Sequence, residues 1–355
     1  VPFFLYQLYL AKLISMWIPL IFSKTEIRFV GLVIDWIAPR QFMLQGWGIG
    51  VVIPARNESS HIGRVLSTIP AFVDYVVVID DGSSDNTAEI ASSTKCSAEV
   101  TIITLGGFGV GNAIDTGHQK LIQLFADSKF VSAVMAGDGQ MDPDDLEGLV
   151  GNVISGKGEH IKGDRFLHSD GLREMPLIRR LATILLSFFT TLAAGQTISD
   201  PQCGYTATSD TVLRNWNWNK SWKGYGYPNY WLIQLAKYGW KIEHHPVRAI
   251  YEDQTSGING ISFFFKVGIM MIIQHHVRNF SWLFSRQVSP HTIFACISYC
   301  IGWLALIPGI STDLERSLVE LGIPIAIIVT FAWLCAHLFD RMAVAAKQEL
   351  RVDIE

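Results

Sequence analysis

The stretch VMAGDGQMDPDDL, residues 134–146, runs from an apolar strand end into a cluster of acid: Asp138, Asp142, Asp144 and Asp145, with Gln140 among them. Two chemistries fit this pattern. Carboxylate and amide oxygens so close together suit a hard divalent cation, and acids just ahead of an apolar run also cap and charge the start of a helix. Three further polar stretches follow apolar runs upstream: PARNE (54–58), DDGSSD (80–85) and GGFGVG (106–111). The glycine-rich one lacks the GK[ST] of a phosphate-binding loop. Ile114 also stands where GxGxxG needs its last glycine, so a kinase-type or dinucleotide site is not expected. The loops instead present Glu58, Asp80, Asp81 and Asp138. A nucleoside diphosphate among these acids requires a cation to offset their charge.

The elements that must position these residues are legible as continuous apolar runs alternating with helical spacing. GWGIGVVIPARNE begins with a strand that breaks at Pro54, and HIGRVLSTI follows as a helix with Ser59 and Ser60 as expected N-caps. VDYVVVIDDGSSDNTAEIA repeats the pattern. EVTIITLGG and KFVSAVMAGDG are further strands, with a helix over 112–125 between them. Such runs predict a parallel sheet covered on both faces, and ligands of such sheets sit beyond the carboxyl ends of the strands. All four polar loops fall there.

The chain has 355 residues, a net charge of −4 and 49% hydrophobic residues. The charge gives no sign of nucleic-acid binding. The apolar excess gathers at the two ends, whereas 46–171 reads as an ordinary α/β domain. Five cysteines without CxxC spacing argue against a disulfide framework or a zinc site and place the polar domain in a reducing compartment. Residues 291–310 and 321–339 carry no formal charge over lengths near the ~20 residues needed to cross a bilayer, and predict a membrane hairpin. Arg316 is the basic residue of the connecting loop, while Arg278 and Arg286 precede the hairpin and Arg341, Lys347 and Arg351 follow it. That asymmetry places the catalytic domain and the C-terminal tail in the cytoplasm. The N-terminal run lacks the pattern of a signal peptide. It is read as a helix in the membrane interface, a third span being the alternative. Two segments, 179–195 and 261–284, combine basic residues with apolar faces and suit either a core or an anionic lipid surface.

Taken in order and spacing, VVIPARNE, VVVIDDGSSDNT, GVGNAIDTG, GDGQMDPDDL, GDRF and DPQCGY resemble the signature of family 2 glycosyltransferases with the GT-A fold. Within that family the resemblance is to the polyprenyl-phosphate glycosyltransferases, the group containing dolichyl-phosphate mannose and glucose synthases, and it covers 48–251. It implies an α/β, Rossmann-like nucleotide-sugar domain over 46–255, flanked by N-terminal apolar helices (1–45). An amphipathic interface helix (256–288) and the transmembrane hairpin with its tail (289–355) would follow. The resemblance puts Pro54, Arg56 and Glu58 beside the nucleotide, Asp80 and Asp81 at its base and ribose, and Asp138 with Gln140 on a Mg²⁺ or Mn²⁺ ion. Arg165, Arg179, Arg180 and Arg248 would serve the acceptor phosphate, and Asp200 and Gln202 the sugar pocket. Asp138, Arg165 and the position of Ala136 would carry the chemistry, with inversion at the anomeric carbon.

The implied partners are a UDP- or GDP-sugar, with a weak lean to glucosyl-type donors, together with polyprenyl phosphate and the bilayer; the oligomeric state is left open. Ala136 departs from the family, which usually has an acid there, either as an engineered substitution or as a natural variant. It keeps a catalytically silent sugar-nucleotide-binding protein in contention, beside a transferase with another lipid or a glycan as acceptor. The QxxRW motif of processive synthases is absent, which disfavours a polymerising enzyme.

Overall fold

The computed structural model describes residues 44–168, 175, 177–222, 226–248, 250, 260–285, 288–307, 312, 316 and 325–352. The expected N-terminal interface segment, apart from its last two residues, lies outside these, as do Tyr251, Arg286 and the beginning of the second predicted span.

Seven strands form one sheet in the order β3-β2-β1-β4-β6-β5-β7. β1 (Gly48–Ala55), β2 (Tyr75–Asp80), β3 (Glu99–Thr104) and β4 (Phe130–Val134) are mutually parallel. β6 (Thr206–Ser209) runs antiparallel between β4 and β5 (His160–Asp164), and β7 (Ile242–Pro246) pairs parallel to β5. The sheet is therefore mixed, where the sequence predicted a parallel one; β5 (HIKGD), β6 (TATS) and β7 (IEHHP) were not expected, since they lack the apolar continuity that marked the first four strands.

Alternation along the strands divides the core into two layers. Val52, Val77 and Ile79 join one cluster with Leu121 and Phe125 of α3 (Val110–Phe125) and Trp231 of α7 (Tyr227–Lys237). Val51, Ile53, Val76 and Val78 join the other. There they meet Ile62 and Leu66 of α1 (Ile62–Ser67) and Leu149 of α4 (Leu146–Ile154). The remaining short helices of this domain are α2 (Thr87–Ser93) and α6 (Asp210–Arg214). α3 approaches β1 at Gly117, where a Cβ would lie 2.2 Å from Cγ1 of Val52.

Two local expectations need correction. Ser59 and Ser60 do not cap α1, which starts after His61 without a side-chain cap; the Ser59 side chain and amide are both turned to Asp85. α3 begins two residues earlier than expected, at Val110. The acids after β4 behave as helix-starting residues: Asp142 accepts from the Asp144 amide at 3.1 Å, ahead of α4.

Four further helices carry the apolar excess: α5 (Leu177–Ala194), α8 (Gly260–Leu283), α9 (Pro290–Leu304) and α10 (Ile325–Val352). α5 is inverted relative to a soluble helix. Leu177, Ile178, Leu181, Ile184, Leu185 and Phe188 are exposed, while Ser187 and Thr191 bond to the backbone of Ile198 on its inner side. α9 and α10 pack as an antiparallel pair, with Phe294 against Phe339, Tyr299 against His337, and Trp303 against Trp333. Gly302 permits that approach, since a Cβ there would fall 2.2 Å from Nε1 of Trp333.

The helix limits differ from the predicted spans. α9 has 15 residues, short of the ~20 that cross a bilayer, whereas α10 has 28 and continues through the basic tail. The helices long and apolar enough to span among the described residues are Leu177–Ala194 and Ile325–Arg351.

Arg278 is not the free flanking charge assumed in the orientation argument. It is fully buried, with Nη2 2.7 Å from Asp340 Oδ2 and 3.1 Å from the Ala193 carbonyl, so one guanidinium joins α8, α10 and α5. Removing one partner of a buried pair strands the other charge. Asp340→Ala is expected to cost about 3–5 kcal/mol of stability in detergent, whereas Arg278→Met combined with Asp340→Leu costs far less. Thermal unfolding of the two variants checks this; equal losses would contradict it.

Candidate functional site

The strand order reverses between β1 and β4, and there a cleft of about 580 Å³ opens at the strands' carboxyl ends. Its walls come from four loops. Pro54 stands at the end of β1 with Arg56 and Glu58 after it, Asp81 follows β2, residues 107–110 follow β3, and Ala136 to Asp138 follow β4.

Two of these loops are stitched together. Asn57 takes a left-handed conformation (φ 58°), which asparagine tolerates, and its Oδ1 accepts from the Ser84 amide at 2.8 Å. The Asn57 amide in turn donates to Ser83 Oγ, and the Glu58 amide to Thr87 Oγ1 at 2.8 Å. Asp81 fastens the third loop, since its two oxygens accept from the amides of Phe108 and Gly109, each at 2.7 Å. A carboxylate has about four acceptor positions, so this anchoring leaves Asp81 able to accept from a ligand as well. Asp80 does not line the cleft; it is buried and holds the turn through Ser83.

The electrostatics of the cleft are those of crowded acids. Burial pushes Glu58 up to about 7, with further upward push from the negative charges of Asp138 and Asp85. Asp138 is raised by burial as well, partly offset by the Gln140 amide at 3.0 Å and then by the charges of His61 and Arg179. Arg179 thus acts on the cleft from the first turn of α5.

The other sequence candidates lie around this centre in different ways. Arg165 is buried and forms a two-point contact with Asp200, Nε to Oδ2 at 2.7 Å and Nη2 to Oδ1 at 2.9 Å. Burial pushes Asp200 up, but Arg165's hydrogen bonds and charge outweigh it and hold the carboxyl low. Gln202 donates to Asn229 at 2.9 Å. Arg248 is exposed, its amide bonded to Asp145 and its guanidinium 3.8 Å from Asp142. Arg180 sits beside Arg179 in α5.

Sequence reasoning missed the groups that hold the 199–203 loop. Lys162, fully buried in β5, donates to the Cys203 carbonyl, and Ser199 donates to Asp164. A lysine inside HIKGD carried no motif signal. Among the described residues, one group of three has metal-like spacing: His275, His337 and Asp340. It lies among the apolar helices, and Arg278 already neutralises Asp340. Next to it is an apolar cavity of about 350 Å³ lined by Phe189, Phe264, Ile272, His275, Trp303 and Trp333 among others.

A mixed α/β sheet in this order, with an acid-lined cleft at its switch point, defines a Rossmann-like GT-A nucleotide-sugar domain. The model of glycosyl transferase family 2 matches residues 50–216. An uncharacterized protein of Methanocaldococcus jannaschii is 30% identical over 225 residues, covering 62% of this chain and 90% of its own length. The UDP-N-acetylglucosamine–dolichyl-phosphate N-acetylglucosaminyltransferase of Methanococcus voltae is 28% identical over 222 residues, covering 58% and 87%. Among solved structures, mannosyl-3-phosphoglycerate synthase from Rubrobacter xylanophilus aligns with a TM-score of 0.48 at 18% identity, covering 69% of this chain and 78% of that one. The chain belongs to glycosyltransferase family 2.

The raised carboxyl of Glu58 has a defined pH consequence. Between its ordinary value of 4.5 and about 7, the folded protein retains a proton that the unfolded chain has released. Stability therefore falls as pH rises through that window. Glu58→Gln is expected to raise Tm more at pH 8 than at pH 5 in metal-free detergent solution; equal shifts at both values would contradict the assignment.

Proposed function

We propose that this protein transfers a single sugar from a nucleotide-sugar to polyprenyl phosphate at a membrane surface, with inversion at the anomeric carbon. The observation that carries this reading is Arg179. Its charge acts on Asp138 in the cleft, yet it sits in the first turn of a helix whose outer face is apolar and exposed. An acceptor phosphate drawn to that arginine has its lipid chain beside apolar surface. The cavity between α5 and the hairpin offers more surface of the same kind. The Methanococcus voltae relative, named for a dolichyl-phosphate acceptor, points the same way.

The donor chemistry follows from the cleft. Asp81 accepts from base or ribose donors, and Arg56, exposed at the rim, faces the diphosphate. Asp138 and Gln140 present oxygen ligands suited to Mg²⁺ or Mn²⁺, and the upward-pushed acids there are the environment in which a cation is favoured. Such an ion stabilises the charge that develops on the departing diphosphate. A lipid phosphate has a second pKa near ~6 and is already a nucleophilic oxyanion at neutral pH, so no general base is needed. Arg179 and Arg180 orient it, guanidinium being matched to phosphate geometry. Arg165, held by Asp200, fixes the floor beside them, and Arg248 forms an outer basic contact.

The C-terminal half of α10 lies against the catalytic domain: Arg341 bonds Thr197, Arg351 stacks over Trp240, and Gln348 bonds Gln196. These contacts support a tail and catalytic domain on one side of the bilayer, and the basic residues of the tail support the cytoplasmic side.

The deciding assay presents purified protein with polyprenyl phosphate, a panel of UDP- and GDP-sugars, and Mg²⁺ or Mn²⁺. Lipid-linked sugar is the expected product, and Asp138→Asn is expected to reduce its formation by at least about 10²-fold. Ala136→Asp, which restores a second carboxylate, raises metal-dependent turnover. Absence of product from every donor, in this variant too, would refute the proposal in favour of a silent sugar-nucleotide-binding protein.

A further inference from the structure

The 198–203 segment joins α5 to the end of β5. On one side it meets α5: the Ile198 amide donates to Thr191 Oγ1 at 3.0 Å, and the Ile198 carbonyl accepts from Ser187 at 2.6 Å. On the other it is fixed to the end of β5 by Ser199 on Asp164, Asp200 on Arg165 and the Cys203 carbonyl on Lys162. It lies beside the cleft because Thr206 pairs with Val134, which places the residues before β6 next to Ala136 and Asp138. A Cβ on Gly204 would lie 3.0 Å from Met141, the residue whose sulfur accepts the Ala136 amide.

Gln202 is a half-buried polar side chain of this segment, and a third tether holds it. Its Nε2 donates to Oδ1 of Asn229 at 2.9 Å, and Nδ2 of Asn229 donates to Thr190 Oγ1 at 2.7 Å. Thr190 passes its own proton to the Leu186 carbonyl within α5. Asn229 has no solvent exposure and Thr190 none. A buried amide bonded at both ends has one low-energy orientation, because turning it over would set like groups against each other on both sides. The chain Thr190–Asn229–Gln202 thus fixes which end of the Gln202 amide remains as an acceptor, Oε1, on the segment that leads into β6.

We propose that Asn229 is a positioning residue for the donor sugar. It holds Gln202 in register with the membrane-facing helix α5, so that Gln202 Oε1 accepts from a sugar hydroxyl. The inference rests on the glycosyl-donor reading of the cleft but not on the identity of the acceptor. The nucleoside diphosphate is bound elsewhere, by Arg56, Asp81 and Asp138, and does not depend on this chain of hydrogen bonds.

The test is therefore a binding ratio. Full-length protein in detergent with Mn²⁺ is titrated calorimetrically with UDP against UDP-N-acetylglucosamine, and with GDP against GDP-mannose. The gain in affinity from diphosphate to sugar nucleotide reports the sugar contacts. Asn229→Ala is expected to reduce that gain by about tenfold, the scale of one buried hydrogen-bonded contact, with the diphosphate Kd unchanged. Thr190→Val, which keeps the shape of the side chain without its hydroxyl, acts in the same direction. Thr190→Ser restores the gain, and combining Asn229→Ala with Thr190→Val adds little to either alone. An unchanged gain in the folded variants overturns the inference. So does a diphosphate Kd that weakens in parallel, since that marks general loosening, and so does a wild-type gain near one for both pairs. Failure of transfer to polyprenyl phosphate would instead count against the acceptor assignment and leaves this binding test intact.

Discussion

Glu58 and Asp138 share one cleft because β1 and β4 are parallel neighbours and both chains turn at the same edge of the sheet. Burial lifts both carboxyls and the charge of Asp138 lifts Glu58 further, so in a small volume of reduced dielectric neither charge is well tolerated by itself. Much of the surrounding structure answers that constraint. Backbone amides are turned toward the acids at Asp81 and Asp138, and Arg56 and Arg179 bring positive charge. The rigidity of the site comes from elsewhere, through the links between the 57–59 and 83–87 loops, which keep Glu58 from swinging out of the cleft.

A second constraint shapes the opposite side of the molecule. α5 turns its hydroxyls inward and its leucines, isoleucines and phenylalanines outward, which is unfavourable in water and favourable against hydrocarbon. The inward hydroxyls bond to the segment that leads into β6 beside the end of β4, so the helix with the exposed apolar face and the site are joined by a few short links. Further along, the Arg278–Asp340 pair ties α5, α8 and α10 together where the apolar side chains by themselves would allow the helices to slide.

The motif-bearing loops were legible in the sequence because each follows a β-branched run and combines turn residues with acids. Arg56, Glu58, Asp81 and Asp138 meet in the cleft from positions spread over about eighty residues, and the expectation that ligands gather at the carboxyl edge was enough to group them. Asp80 was grouped with them although it serves a turn, since adjacent residues of a strand end point to opposite sides and the sequence does not say which side is open. Arg165 and Asp200 were read as separate site residues, yet they form one ion pair across 35 positions. β5, β6 and β7 were missed because four or five residues of mixed polarity carry no usable periodicity. The spans were drawn from uncharged windows, whereas α10 continues through Asp340, whose charge is met by Arg278 on α8, and Arg341, which bonds Thr197 in the loop after α5.

What the sequence by itself determined was local and periodic: which segments become strands or helices, which residues stand at their ends, and that the two ends of the chain carry more apolar surface than a core requires. What only the tertiary structure decided was partnership. The crowding of Glu58 and Asp138, the Lys162–Cys203 and Arg278–Asp340 contacts, and the Thr190–Asn229–Gln202 chain each join residues 39 to 80 positions apart or lying on different elements. Such contacts depend on distance and orientation in space. A residue's type fixes what it can bond, but the fold fixes what lies within hydrogen-bonding reach of it.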